Sequence, residues 1–246
     1  MSMKVYLNDQ GFDAEPEQTI LDVAQRHGVE IPHLCHHEAL SGRACCRLCL
    51  VEVGDLPGQR NVVVACTYPA EEDLQVYTAT EQIVELRRLI LALLREQAPA
   101  AEGELLRYCE EYGVTGFGQR FSVDPTERCI LCGLCTRACQ LLGNSAIAAA
   151  RRGVDKVVST AFGEPSEDCI GCAACARVCP TQAIDCIEAD GQRTIWQKDF
   201  ELVRCTACGK PYATAEELAW LKAKLVAAEM NLQYCPSCRG KASIPG

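Results

Sequence analysis

The chain has 246 residues, of which 19 are cysteine, and a formal net charge of −9. Cysteines grouped at Cys-x2-Cys spacings, with no apolar leader at the start of the sequence, exclude a small secreted disulfide scaffold and predict a reducing compartment, most simply the cytoplasm. The acidic balance without a basic stripe argues against nucleic acid binding, and the longest aliphatic run, Leu89 to Leu94, is far below the ~20 residues of a membrane span.

Aromatic residues make up only 6% of the chain, which favours several small modules organised around metal over one large core. The predicted fold class is α+β, with four modules in chain order. They are a first cysteine-containing domain over 1–80, a helical connector over 81–120, a second cysteine-rich domain over 121–192 and a metal-binding tail over 193–246.

The first module reads as a small sheet with one early helix. Val5 and Leu7 alternate with polar residues as in a half-buried strand. Thr19 and Asp22 have the spacing of a capping box, and Gly28 has the position of a residue that ends the helix. Two β-branched runs predict further strands, at Leu50–Val53 and Val62–Ala65.

Four cysteines of this module, Cys35, Cys46, Cys49 and Cys66, are separated by ten, two and sixteen residues. Three ligands near one loop and a fourth far downstream indicate a [2Fe–2S] site of the plant-type kind. Cys45 competes with its neighbour Cys46 for the second position, and Cys46 is preferred because it keeps the two-residue gap to Cys49.

Three histidines, His33, His36 and His37, flank the first of these cysteines. A Rieske-type site with histidine ligands is an alternative, but four suitable cysteines already exist. The histidines are therefore expected to shape the hydrogen bonding and exposure of the cluster.

The connector has a helical pattern. Thr78 and Glu81 have capping spacing, and four apolar residues are predicted to share one helix face: Ile83, Leu86, Ile90 and Leu93. A second, shorter helix carries Cys109, which is expected to be a buried core thiol.

The third module repeats one spacing, Cys-x2-Cys-x2-Cys-x3-Cys, which is the signature of two [4Fe–4S] clusters. In this arrangement the fourth cysteine of each set ligates the other cluster. The predicted ligands are Cys129, Cys132, Cys135 and Cys179 for one cluster, and Cys169, Cys172, Cys175 and Cys139 for the other. Two clusters that exchange ligands lie close together, as the passage of single electrons requires.

The tail contains two Cys-x2-Cys knuckles, Cys205 with Cys208 and Cys235 with Cys238. Four thiolates in two knuckles are typical of a structural zinc site, and zinc is the preferred metal. A single iron ion or a third [4Fe–4S] cluster is the alternative. Three cysteines remain once sixteen are assigned, and Cys45, Cys109 and Cys186 are expected to be buried apolar thiols.

Long stretches of the sequence resemble a known family. These are LCHHEALSGRACCRLCLVEVGD and VVACTYPA in the first module, then RCILCGLCTRACQLLGNSAI and TAFGEPSEDCIGCAACARVCPTQAI in the third. They are similar to the N-terminal part of the large iron–sulfur subunit of respiratory complex I. The first of these segments also resembles a domain of the small diaphorase subunit of NAD-reducing hydrogenases and of related NAD-linked formate dehydrogenases and hydrogenases. Over about residues 1–190, the resemblance implies a β-grasp [2Fe–2S] domain, a helical connector and a dicluster ferredoxin domain.

The sequence departs from this family in the connector. The family usually has a motif of one histidine and three cysteines that holds another [4Fe–4S] cluster. The corresponding stretch here, LLREQAPAAEGELLRYC, has no histidine and only one cysteine. One thiol does not hold a cubane, so this cluster is predicted to be absent. Electrons would then cross directly between the modules of Cys66 and Cys129, or enter the two ends from different partners.

These observations predict an electron-transfer subunit of a cytoplasmic oxidoreductase complex. It would relay electrons between a flavin/NAD(P)-binding subunit and a metal-dependent catalytic subunit of hydrogenase or formate dehydrogenase type, in a hetero-oligomer. The sequence has no catalytic triad, phosphate loop or flavin motif, so no active site is assigned to the chain itself. The alternatives are a free-standing polyferredoxin and a redox- or iron-sensing protein.

Overall fold

The computed structural model describes residues 3–40, 42–56, 58–118, 124–224 and 231–242. The chain divides into two compact units. The first consists of Met1–Leu134 with Pro180–Ala183, and the second of Cys135–Cys179 with Ile184–Gly246. Within the described ranges, no helix combines the length and the apolar character needed to cross a membrane.

The first unit contains a five-stranded sheet and the helix α1 (Ile20–Arg26). Its strands in chain order are β1 (Met3–Leu7), β2 (Gln10–Ala14), β3 (Leu50–Val53), β4 (Asn61–Val64) and β5 (Leu74–Tyr77). Their order across the sheet is β2-β1-β5-β3-β4, with β1 and β5 parallel and the other pairs antiparallel. The predicted β-grasp domain is confirmed.

Local chemistry explains the first elements. Val5 and Leu7 are buried, and the turn after them uses Asn8 and Asp9 at positive φ, as a tight hairpin requires. The predicted capping box is present: the Thr19 hydroxyl accepts from the Asp22 amide at 3.2 Å, and the Thr19 amide donates to the Asp22 carboxylate at 2.8 Å. Capping boxes of this kind satisfy two amides that a helix end otherwise leaves unpaired.

The connector forms α2 (Glu81–Gln97) and α3 (Gly103–Glu111). The predicted cap at Thr78 is wrong, because the Thr80 hydroxyl accepts from the amide of Ile83. The predicted apolar face is also displaced, since Leu93 is exposed and the buried positions after Ile83 are Arg87, Leu91 and Ala92. In the second helix, Cys109 is buried as expected.

The second unit is built from short helices and two small sheets. Its elements are α4 (Leu134–Leu141), β6 (Ala148–Ala150), β7 (Val157–Ser159), α5 (Ala174–Arg177), β8 (Cys186–Ala189), β9 (Gln192–Ile195), β10 (Lys198–Arg204), β11 (Pro211–Thr214), α6 (Ala215–Lys224) and α7 (Pro236–Ala242). Strands β6 and β7 form a hairpin, and the other four form an antiparallel sheet in the order β11-β10-β9-β8.

The four-stranded sheet continues from the dicluster segment into the tail. Strand β9 begins at the boundary expected at residue 192, and it pairs with β8 on one side and β10 on the other. Phe200 and Ile195 from this sheet are buried with Cys135, Cys175 and Ala173. The tail therefore shares both a sheet and a hydrophobic core with the cysteine-rich segment.

Candidate iron–sulfur and metal sites

The four cysteines expected to hold the [2Fe–2S] cluster are all buried, with exposed fractions of 1–5%. The amide of Cys46 donates to the sulfur of Cys35 at 3.5 Å. The thiols of Cys45, Cys46 and Cys66 also lie against Cys35 and lower its pKa, and the neighbouring Cys66 lowers the pKa of Cys49. The first unit thus gathers the four thiols at one place, as a shared cluster requires.

The backbone around these thiols is shaped for close approach. Ala44 and Arg47 have φ of 52° and 59°, which turns successive amides within the loop. A β-carbon at Gly42 would lie 2.5 Å from the carbonyl oxygen of Cys66, so only glycine fits there. Residues with a left-handed backbone are strained, and such strain is expected where a loop turns its amides toward cysteine sulfurs.

Cys45 differs from its neighbour in both exposure and contacts. Its side chain is exposed, whereas Cys46 is buried. The Cys45 thiol donates to the carbonyl of Cys132 at 3.2 Å, so it joins the first cysteine loop to the start of the next one. The expectation that Cys45 is a buried apolar thiol is wrong. Cys46 is favoured as the ligand because it is buried and because its amide contacts the sulfur of Cys35. This assignment stays a prediction.

The three histidines near Cys35 have different surroundings. His33 Nδ1 lies 2.8 Å from the carbonyl of Ile31, and His37 Nδ1 accepts from the amide of Ala39 at 3.2 Å. Both ring nitrogens of His36 are buried without a partner among the described residues. Burial lowers the pKa of His36. His36 is thus the histidine whose hydrogen-bonding capacity remains available beside the candidate cluster.

A buried arginine connects the connector to the same site, and sequence reasoning missed it. Arg87 on α2 is only 2% exposed, and it donates to the carbonyls of Leu48 at 3.2 Å and Leu50 at 2.7 Å. These residues flank Cys49 in the sequence. Arg87 also donates to the Tyr112 hydroxyl at 3.1 Å. The sequence signal that could have indicated this role is Arg87 itself, a single charged residue on an otherwise apolar helix face.

In the second unit, four of the cubane cysteines line one cavity: Cys139, Cys169, Cys172 and Cys175. This is the set that the exchanged-ligand arrangement predicts. Burial raises the pKa of Cys175 to about 11, although the Trp196 indole N–H donates to its sulfur at 3.4 Å. The amide of Ala146 donates to the sulfur of Cys139 at 3.2 Å. Apolar walls with inward N–H donors suit a cluster whose sulfurs accept hydrogen bonds.

Trp196 reaches this cavity from a strained turn. Trp196 and Gln197 join β9 to β10, and both have positive φ, at 52° and 60°. Two-residue hairpin turns of this kind normally use Asn or Gly. A tryptophan held in such a conformation is most simply explained by the contact of its indole with Cys175.

The two cubane loops have the same backbone conformation. Two positions after the first cysteine, Leu131 and Gly171 have φ of 54° and 67°, and two positions later Gly133 and Ala173 have φ of 73° and 58°. The amide of Leu131 donates to the sulfur of Cys129 at 3.4 Å. Repeated left-handed turns after repeated cysteines indicate two loops with the same task.

The remaining cubane cysteines are divided between the units. Cys129 and Cys132 belong to the first unit, and Cys135 and Cys179 to the second. Their assignment to one cluster stays a prediction from spacing, supported by the shared conformation of the two loops.

The tail cysteines form a tight group. The sulfurs of Cys205, Cys208, Cys235 and Cys238 all lie within 4.8 Å of one another. Tetrahedral zinc with 2.3 Å bonds to sulfur requires separations of about 3.8 Å, and the sulfurs of Cys208 and Cys235 are 3.9 Å apart. Amides of Cys235, Cys208 and Ala207 donate to Cys205 and lower its pKa to about 6. The donor set fits one tetrahedral ion.

Comparison with known proteins identifies two domains. Residues 1–81 match the 2Fe-2S iron-sulfur cluster binding domain, and residues 128–183 match the 4Fe-4S dicluster domain. A chain from the crystal structure of an NAD+-reducing [NiFe]-hydrogenase in the H2-reduced state has the same fold. The TM-score is 0.64 at 24% identity, covering 89% of this chain and 94% of that chain.

Curated relatives have similar segments. A subunit of the NADH-quinone oxidoreductase of Rhizobium meliloti (strain 1021) is 30% identical over 184 residues, covering 64% of this chain and 21% of that protein. A subunit of the NADP-reducing hydrogenase of Solidesulfovibrio fructosivorans is 31% identical over 190 residues, covering 66% of this chain and 32% of that protein. The chain thus spans a fifth to a third of their length.

The predicted resemblance is confirmed. The chain contains a [2Fe–2S] domain and a [4Fe–4S] dicluster domain, and its relatives are subunits of NAD(P)-linked hydrogenase and complex I type oxidoreductases. The predicted iron–sulfur electron-transfer function is confirmed at this level.

Proposed function

We propose that this chain is the relay subunit of an oxidoreductase complex, passing electrons between a flavin/NAD(P)-binding subunit and a metal-dependent catalytic subunit. The observation that carries the proposal is the cavity enclosed by Cys139, Cys169, Cys172 and Cys175, because it brings together one cysteine of the first set with three of the second. Such an exchange of ligands belongs to dicluster ferredoxins, in which neighbouring clusters pass single electrons.

The proposed cofactors are one [2Fe–2S] cluster and two [4Fe–4S] clusters. Their ligands are Cys35, Cys46, Cys49 and Cys66; Cys129, Cys132, Cys135 and Cys179; and Cys169, Cys172, Cys175 and Cys139. The clusters supply the redox chemistry, and the chain supplies thiolates, burial and inward amides that tune it. The burial of the first four thiols supports their role, because clusters are held out of water by the loops that ligate them.

The tail is proposed to bind one zinc ion through Cys205, Cys208, Cys235 and Cys238. Separations within 4.8 Å suit a single ion better than a cubane, whose four iron atoms hold their thiolates farther apart. A closed set of four protein ligands gives a structural site with no open position for a substrate.

The partners follow from the kind of protein to which the relatives belong. The related proteins are named as subunits of NADH-quinone oxidoreductase and NADP-reducing hydrogenase, so this chain is proposed to work in a cytoplasmic hetero-oligomer with a nucleotide-binding flavoprotein. The second unit also presents fully exposed apolar residues, Val154 and Phe162, of the kind that protein interfaces cover.

Two measurements test the proposal. Metal analysis of anaerobically purified protein should give about ten iron and one zinc per chain, whereas about fourteen iron without zinc would mean a third cubane in the tail. Anaerobic affinity purification from the native host should recover a flavoprotein and a catalytic subunit in stoichiometric amounts. Recovery of the chain alone, fully loaded, would overturn the relay proposal in favour of a diffusing polyferredoxin.

A further inference from the structure

The second cubane loop is held from its outer side by the tail. Three consecutive carbonyls, those of Cys169, Ile170 and Gly171, each accept a hydrogen bond from a side chain of the four-stranded sheet. The donors are Lys198 Nζ to Cys169 at 3.0 Å, Thr214 Oγ1 to Ile170 at 2.5 Å and Arg193 Nη1 to Gly171 at 2.6 Å. All of these residues belong to the second unit.

One of these bonds fixes a peptide plane whose opposite edge faces a cysteine. The Ile170 carbonyl and the Gly171 amide belong to one peptide, and the Gly171 amide faces the sulfur of Cys169. Because the carbonyl and N–H of a trans peptide point in opposite directions, the Thr214 hydroxyl outside the loop orients the N–H inside it. A hydrogen bond on the carbonyl also polarises the amide and strengthens the bond it donates.

The donors are themselves firmly held. Thr214 is fully buried, and its hydroxyl also accepts from the amide of Glu217. Arg193 is 3% exposed and donates from two nitrogens to the carboxylate of Glu188, at 2.8 and 2.6 Å. The ammonium of Lys198 also donates to the carbonyl of Ser166 at 3.1 Å. Fixed donors of this kind constrain the loop more than mobile surface side chains would.

We infer that Thr214, Lys198 and Arg193 are positioning residues for the [4Fe–4S] cluster of Cys139, Cys169, Cys172 and Cys175. The tail is thus part of that cluster's binding site as well as a metal-binding module. The inference rests on the proposed function, because it assumes that this cluster is present. An inward amide stabilises the more negative, reduced form of a cluster, so the Thr214 hydroxyl, which orients the Gly171 amide, raises the reduction potential. The Lys198 ammonium beside Cys169 acts in the same direction through its positive charge.

The tail metal site lies at the end of the hairpin that carries Thr214. Cys205 follows β10 directly, and its amide donates to the carbonyl of Lys210 at 2.9 Å, just before β11 begins. Thr214 is the last residue of β11. The four-cysteine group therefore closes the turn of the same hairpin whose strands carry Lys198 and Thr214.

The test is an EPR-monitored redox titration of the full-length protein, in which both cubane potentials are followed. In Thr214→Val and Lys198→Met, one cubane potential should become more negative while the other is unchanged. Thr214→Ser keeps the hydroxyl and should restore the wild-type value. Thr194→Val is the matched control, because the Thr194 hydroxyl bonds to Asp199 and not to the loop.

Each outcome is decisive. Unchanged potentials in both variants with about ten iron retained would overturn the inference while leaving the proposed function intact. Selective loss of about four iron in either variant, with the control fully loaded, would support it. If Thr214→Val fails to fold because α6 loses its cap, the comparison of Lys198→Met with Lys198→Arg carries the test. A wild-type protein without two cubane signals would remove the proposed function itself.

Discussion

The guanidinium of Arg87 donates to the carbonyl of Leu48 at 3.2 Å, one residue before a cysteine expected to ligate the [2Fe–2S] cluster. A second bond reaches the carbonyl of Leu50, so one side chain is hydrogen-bonded to the residues on both sides of Cys49. The helical connector is therefore a structural support of the first cluster loop as well as a link between cysteine-rich regions.

Replacing this arginine should destabilise the first domain. Arg87→Met would leave the buried carbonyl of Leu48 and the partly buried carbonyl of Leu50 without this donor, at an expected cost of about 3 kcal/mol. The measurement is the urea concentration at which half of the visible circular dichroism of the [2Fe–2S] cluster is lost. The adjacent Arg88 is half-exposed, and Arg88→Met should cost less than about 1 kcal/mol. Equal midpoints for the two variants would contradict the supporting role.

Gly171 combines a left-handed backbone with a crowded site. Its φ is +67°, and an added β-carbon would lie 2.6 Å from the ring of the buried Phe200. Gly171→Ala should therefore cost about 3 kcal/mol, from backbone strain together with overpacking. Gly191 has a φ of +81° and open space around it, so Gly191→Ala isolates the backbone cost of about 1 kcal/mol. Thermal unfolding of both variants checks the difference, which a similar loss in each would refute.

The choice between adjacent cysteines can be tested directly. Cys46→Ala should abolish the [2Fe–2S] EPR signal, because a buried ligand is lost, while Cys45→Ala should retain it. Iron analysis should show about two fewer iron atoms only in Cys46→Ala. The opposite pattern would assign the ligand to Cys45.

Loss of one tail ligand should remove zinc without removing iron. Cys208→Ser leaves three thiolates, and affinity for zinc should fall at least tenfold because thiolates are its preferred ligands here. The expected result after dialysis against a weak chelator is less than about 0.2 zinc and still about ten iron per chain. Parallel loss of about four iron would instead mean that the tail holds a cubane.

The cysteine framework and a small sheet with one helix were predictable because ligand spacing and hydrophobic alternation are local in the sequence, whereas the β-grasp fold was implied by the family resemblance. The strand of Val5 and Leu7 and the capping box of Thr19 were predicted for the same reason. The buried face of α2 was predicted wrongly, because Arg87 is buried through hydrogen bonds to residues about 40 positions away. A hydrophobic pattern with the period of a helix covers only residues close in sequence, so it does not show hydrogen-bond partners at that distance.

The contacts of the tail could not be predicted from the sequence, for a related reason. Its knuckles predicted one metal site, and the structure brings the sulfurs of the four predicted cysteines within 4.8 Å of one another. The sequence does not indicate that Thr214 also bonds to Ile170, because that contact joins residues 44 positions apart. The Thr214 hydroxyl has two tasks, because it accepts from the Glu217 amide at the start of α6 and also donates to the Ile170 carbonyl.

The sheet that continues from β8 to β11 also bears on how such a protein can change over evolution. Domain exchange works at boundaries that few contacts cross. A recombination point near residue 192 would instead separate β8 from β9 and strip three donors from the loop of Cys169. The cubane segment and the tail are therefore expected to be inherited as one piece, and graft experiments should transfer residues 129–242 together, which keeps all eight cubane cysteines.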